Sequence, residues 1–345
     1  MRSVILAPVW TGTVAFEESV MVVENADGSV NPISLLHPAT EILEVKSLYS
    51  GIIYKDGTDY ALDENGNLLI LSGSSIPVTA YQDIYLKESI PEKSFQKHDG
   101  GYLRFSEDGF FHKAQIAVTY RHAGEWHGNI PKRQGDKLSK TNAMMAAKKP
   151  LKVLFYGDSI TVGGNASGFL KLPPYLPCFA ELVVAEWKKQ YGYEDIAMIN
   201  TAVGGKNSFW AVEEAEKRMV AHSPDLMILG FGMNDGKTEP KVYRDNIRFL
   251  IEAVRSANKD CEIILIAPML PNKELTRFWG NQRLFLRELT ELASQYPGIA
   301  VADMTTMHSE LLKRKAFLDM TGNNVNHTND YLTRVYAQVI LETFK

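Results

Sequence analysis

LKVLFYGDSITVGG, residues 151–164, decides how this chain is to be read. Residues 151–156 form a near-continuous apolar run, the pattern of a strand covered on both faces. Gly157 breaks the run, and the polar pair Asp158-Ser159 stands where the chain turns into a helix. Ser159 is therefore either the N-terminal cap of that helix or a nucleophile held at the end of a strand.

The same rhythm recurs downstream in IAMIN (196–200), DLMILGF (225–231), CEIILIA (261–267) and IAVAD (299–303). Between these runs, apolar residues return at helical spacing. Phe179, Val183 and Trp187 mark one helix, and Tyr243, Ile247, Leu250, Ile251 and Val254 another. Leu332, Val335, Tyr336, Val339 and Ile340 mark a last one. Five such strands alternating with helices predict a parallel, three-layer α/β domain over residues 151–345.

Upstream the period changes. Residues 1–130 are short runs rich in Val, Ile, Tyr and Thr, divided by ENADGSVN, YKDGTDY, DENGNL and SEDGFF. Asp-Gly and Asn-Gly between apolar runs signal tight hairpins, because glycine accepts the positive φ such turns need. This half reads as an all-β, sandwich-like or jelly-roll-like domain. Residues 131–150, PKRQGDKLSKTNAMMAAKKP, are polar and basic and read as a linker with one helical turn.

At 345 residues and 45% hydrophobic content the chain is long enough for two cores. A formal net charge of -4 with no block of Lys or Arg gives no footprint for nucleic acid or an anionic membrane, leaving small molecules or neutral polymers as partners. Oligomeric state is not indicated. Only Cys178 and Cys261 are present, so disulfides do not organise the fold. The first twenty residues make a poor signal peptide, and no stretch approaches the roughly 18 apolar residues of a membrane span. A soluble, cytoplasmic protein is expected.

Ligands of open α/β sheets gather at the carboxyl ends of the strands, where strand order reverses. Three strands here are followed by Gly-flanked polar clusters: GDSITVGG, TAVGGKNS and GMNDG. A strand order 2-1-3-4-5 makes them neighbours at one crevice. Acyl transfer needs a nucleophile, a base and donors aimed at an oxyanion. Ser159 supplies the first. Its own backbone N–H, that of Gly205 or of its neighbour Gly204, and the side-chain amide of Asn234 can supply the donors, and His327, in TGNNVNH ahead of the last helix, can supply the base.

These residues resemble the SGNH (GDSL-type) hydrolase family. The matches are Gly157-Asp158-Ser159, Gly205, Gly232-x-Asn234-Asp235 and His327, in the family's order and spacing. The resemblance implies a flavodoxin-like sheet, ester hydrolysis through an acyl-enzyme, no cofactor, and supporting roles for Asp158 and Asp235 in fixing loops. The family places Asp three residues before the His; Asn324 stands there. Its amide oxygen is taken to orient the imidazole, with Asp303 or a backbone carbonyl as alternatives and Asp330 assigned to the helix dipole.

A β domain ahead of such a hydrolase is similar in layout to two-domain carbohydrate acetyl esterases, which implies an acetylated carbohydrate as substrate. TYRHAGEWHGNIP (119–131) is expected to overhang the crevice and RFWGNQ (277–282) to shape access. The alternatives are a lipase-like enzyme or thioesterase, and a catalytically idle carbohydrate-binding protein. GDSITVGG lacks a nucleotide-binding glycine pattern. His122 with His127, or His327 with Asp330, lack a metal-ligand spacing, so no metal is expected.

Overall fold

A computed structural model describes residues 4–345 of the chain. The N-terminal half is built from β1 (Val14–Met21), β2 (Ala39–Lys46), β3 (Ile53–Tyr54), β4 (Tyr60–Leu62), β5 (Leu68–Ile70), β6 (Tyr85–Leu86), β7 (Ser94–Gln96), β8 (Tyr102–Arg104) and β9 (Gln115–His122). Four of these form an antiparallel sheet in the order β1-β9-β2-β3, flanked by a β4-β5 hairpin and a three-stranded sheet β6-β8-β7. The Asn-Gly signal closes β4 onto β5 as expected. Asp63 Oδ1 accepts from the backbone of Asn65 and Asn67, and Gly66, at φ 78°, lies so close to Ala39 that a Cβ there would meet its nitrogen at 2.6 Å.

The second half carries a parallel sheet of β10 (Leu151–Gly157), β11 (Ile196–Asn200), β12 (Leu226–Gly230), β13 (Glu262–Ala267) and β14 (Ile299–Asp303), in the order β11-β10-β12-β13-β14. Every apolar run of the sequence became a strand of this sheet, and the order is the anticipated 2-1-3-4-5. Alternate side chains feed two cores. Val153 and Phe155 pack with the helices Phe179–Tyr191 and Asp330–Phe344; Leu154 and Tyr156 pack with Pro240–Ala257. Both cysteines are buried and unbridged.

Two expectations need correction. The last helix is not amphipathic in its setting, because every residue from Asp330 to Phe344 is buried. Its polar face is covered by the chain's early residues: Arg334 donates to the carbonyls of Phe16 and Glu17, and Gln338 exchanges hydrogen bonds with Ala7 and Val9. The 131–150 stretch, moreover, is packed rather than free. It forms a helix, Ser139–Ala146, whose first N–H groups, those of Lys140 and Thr141, are capped by Glu262, and it buries Leu138 and Met145 in the core. Among the described residues, no helix is long and apolar enough to cross a membrane.

Candidate active site

Ser159 opens a one-turn helix, Ser159–Val162, directly after β10. Asp158 is its cap, accepting from the backbone of Ile160 at 3.0 Å. Burial pushes the Asp158 carboxyl up to about 7. The first and second loops are stitched together where Val203 donates to the Gly157 carbonyl at 3.1 Å.

His327 arrives from the other end of the sequence on a loop whose asparagines have a structural use. Asn323 Oδ1 accepts from the backbone of Val325, Asn326 and His327, and Gly322 donates to the His327 carbonyl. The loop thereby aims the imidazole at Ser159, with Nε2 2.8 Å from Oγ. Gly164 leaves room for the ring: a Cβ there would stand 3.1 Å from it.

On the far side of the ring, Nδ1 donates to the side-chain oxygen of Asn165 at 2.5 Å. An amide oxygen only accepts, so Nδ1 holds the ring's proton and Nε2 is free to take one from Ser159. Asn165 is buried and sits at φ 65°, the left-handed region that asparagine tolerates better than most residues. Burial lowers His327 to about 4, keeping the imidazole neutral at neutral pH.

Asn324 is not the residue that orients the ring. It too has φ 65°, and that backbone turns its side chain away: Oδ1 accepts from Asn272 and Nδ2 donates to the carbonyl of Arg104, each at 3.1 Å. Asp303 is equally remote in role, capping the helix Met304–Leu311 through Thr306. Asp330 does more than face a helix dipole, since its carboxylate accepts from the backbone of Ser167 at 2.7 Å and so ties the last helix to the loop carrying Asn165.

Of the donors expected around an oxyanion, the Ser159 N–H lies at the helix start. Gly205 has φ 72° and open space beside it, while its neighbour Gly204 is the glycine nearer Ser159, where a Cβ would lie 3.7 Å from that of Ser159. Asn234 gives one N–H to the Lys206 carbonyl at 2.9 Å, which leaves the second N–H of the amide. Asp235, buried beside it, grips the backbone and hydroxyl of Ser208. Residues 277–282 support this third loop from behind: Gln282 donates to Met233, Asn281 to Gly236, and Gly280 is pressed onto the Gly236 carbonyl.

The stretch 119–131 does not supply the site's contact from the N-terminal half. Tyr120 and His122 are buried, and Trp126 packs edge-on to His37 with Arg314 over its ring. That contact comes from Glu107, whose carboxylate oxygen stands 3.6 Å from Nδ1 of His327.

Residues 155–331 match the model of the GDSL-like Lipase/Acylhydrolase family. The chain belongs to that family. The match runs from the strand that presents Ser159 to the helix that follows His327, so Ser159, Asn165, Gly205, Asn234 and His327 of this GDSL-like chain all lie within the family's span. No curated protein matches the chain.

Among solved structures, this GDSL-like chain is similar to a two-domain esterase active on acetylated mannans, at 24% identity and a TM-score of 0.49, over 60% of this chain and 52% of that one. The chain thus spans about half the length of that enzyme. It is also similar to an acetylxylan esterase from Geobacillus stearothermophilus, at 20% identity and TM-score 0.47 over 56% of this chain and 94% of the other. An α/β hydrolase enzyme from the metagenome of Lake Arreo, Spain, aligns at 16% identity and TM-score 0.47, with the same coverage.

Sequence reasoning missed Asn165 and Glu107. For Asn165 a signal existed: an asparagine directly after Gly163-Gly164, six residues past Ser159, is a residue suited to a left-handed position. Glu107 carries no such local mark.

Proposed function

We propose that this hydrolase removes a short acyl group, acetyl, from a carbohydrate alcohol through a covalent Ser159 acyl-enzyme. The hydroxyl of Ser159 attacks the ester carbon and gives its proton to Nε2 of His327. The resulting oxyanion is held by the N–H groups of Ser159 and Gly205 and by the Asn234 amide. His327 then passes the proton to the departing alcohol oxygen, and a water activated by the same nitrogen releases the acid. Asn165 keeps the ring in the tautomer that makes this direction of transfer work.

The observation that carries the mechanism is the 2.8 Å contact between Ser159 Oγ and His327 Nε2, with Nδ1 occupied by an acceptor. The acyl length and the sugar rest on the likeness in layout to two-domain carbohydrate acetyl esterases.

The test pairs p-nitrophenyl esters of rising length with acetylated oligosaccharides. Turnover is expected to fall steeply from acetyl to octanoyl, and Ser159→Ala to remove nearly all of it. Octanoyl turnover equal to acetyl would favour a lipase-like enzyme. A fluorophosphonate probe is expected to label Ser159, and absence of labelling would favour an idle binding protein.

A further inference from the structure

We infer that Glu107, carried by the N-terminal half, is a positioning residue for His327, its carboxylate stabilising the imidazolium that forms when Ser159 gives up its proton. The inference rests on the serine–histidine mechanism just proposed and assigns it a part that the hydrolase half does not contain.

Glu107 lies in the turn between β8 and the short helix Phe110–Ala114. That turn is fixed from within and from both sides. Ser106 donates to the Asp108 carboxylate, which accepts in turn from the backbone of Phe110. Gly109, at φ 86°, is packed so tightly on Leu172 that a Cβ would lie 2.6 Å from it, and His112 Nε2 is 2.7 Å from the Pro173 carbonyl. From the opposite side Asn324 holds the carbonyl of Arg104. One clamp, Asn324, is on the loop bearing His327, and the other, Leu172-Pro173, follows the short helix Ser167–Leu170 that leads on from Asn165. Glu107 is therefore aimed at the ring by the site's own framework, although its side chain is 57% exposed.

Asn165 provides an acceptor for Nδ1–H but no charge; Glu107 provides the charge. In the resting enzyme the ring is neutral and the carboxylate gains little from it. Once the Ser159 proton reaches Nε2, a cation and an anion face each other across 3.6 Å, so the interaction grows along the reaction coordinate, which is what accelerates a step. A neutral amide and an acid from another part of the chain thus divide a task that the family's single Asp performs.

The other ionisable groups near the ring are engaged elsewhere. Asp158 caps Ile160, Asp330 accepts from Ser167 with His112 and Arg334 beside it, and Arg104 lies over Phe110. Among the described contacts, His327 is the group that Glu107 pairs with.

The experiment compares Glu107→Gln, Glu107→Asp and Ser159→Ala with the wild type on p-nitrophenyl acetate. Glu107→Gln is expected to lower kcat by about 10- to 30-fold, with KM and Tm unchanged. Losing a nearby anion lowers the imidazole pKa, so the acid limb of the kcat/KM profile moves to lower pH. Glu107→Asp restores part of the rate. Because the carboxylate is exposed, added salt slows the wild type more than Glu107→Gln.

The proposal is overturned if Glu107→Gln keeps the wild-type kcat and acid limb, or if it loses rate together with Tm while the limb stays in place. Should Ser159→Ala remain active, the mechanism fails and Glu107's part with it. If Ser159→Ala is dead and Glu107→Gln is not impaired, only the assignment of Glu107 falls.

Discussion

His327 meets the side-chain oxygen of Asn165, which precedes it by 162 positions, while Asn324, three positions before it, faces Asn272 and Arg104. The two asparagines therefore predict different phenotypes. Asn165→Ala removes the acceptor that fixes the tautomer and is expected to cost about 10²-fold in kcat with little change in KM. Asn324→Asp is expected to bring no gain in rate, since its carboxylate would face the Arg104 carbonyl and lower Tm instead. A rate increase in Asn324→Asp, measured on p-nitrophenyl acetate, would contradict the assignment.

Acid should act on stability through His308. It is fully buried on the helix Met304–Leu311, where Nδ1 accepts from the backbone of Leu270, and burial pushes it from an ordinary 6.5 to about 3. The folded value is the lower one, so below pH 6.5 the unfolded chain takes up a proton that the fold refuses. The contribution is intact above pH 6.5 and is lost as pH falls toward 3. Roughly 2 kcal/mol from this ring alone goes between pH 7 and pH 5. Denaturant melts should show a shallower pH dependence for His308→Gln, which keeps an acceptor and does not titrate.

Lys315 and Glu18 form an ion pair at 2.5 Å with both side chains essentially out of solvent, and Glu18 also accepts from Tyr120 and the Leu36 backbone. Lys315→Ala strands the carboxylate and is expected to cost about 3–5 kcal/mol. Replacing both, as Lys315→Met with Glu18→Leu, should recover part of that loss, and urea unfolding reads the difference.

Expressed without its N-terminal half, the fragment 131–345 is expected to be unstable. Arg334, Gln338 and the Lys315–Asp319 segment lose partners contributed by residues 7–21, among them the Met21 backbone on Asp319. Circular dichroism and limited proteolysis would show it, and a sharp cooperative melt of the fragment would refute it.

The parallel sheet was legible because β10, β12, β13 and β14 are buried on both faces, which writes an unbroken apolar run into the sequence; the edge strand β11 keeps the pattern although it is partly exposed. Ser159 and His327 were legible because the loops that hold them use glycine and asparagine at recognisable spacing. The orienting asparagine was not, since spacing along the chain says nothing about which way a side chain leaves a left-handed residue: Asn165 and Asn324 share φ 65° and point to different neighbours. Glu107 was invisible for a different reason. Its relation to the imidazole exists only once the two halves have packed, and the polar face of the last helix misled in the same way.

The contact between the helix Asp330–Phe344 and the strand beginning at Val14 has a bearing on when this enzyme becomes active. Ser159 is made 168 residues before His327, and the helix that anchors the histidine is sealed by a segment made more than 300 residues before it. Joining such distant parts is the slow, entropically costly portion of folding. Hydrolytic competence should consequently be the last property the maturing chain acquires, and a nascent molecule with its central sheet already built would carry an inert serine.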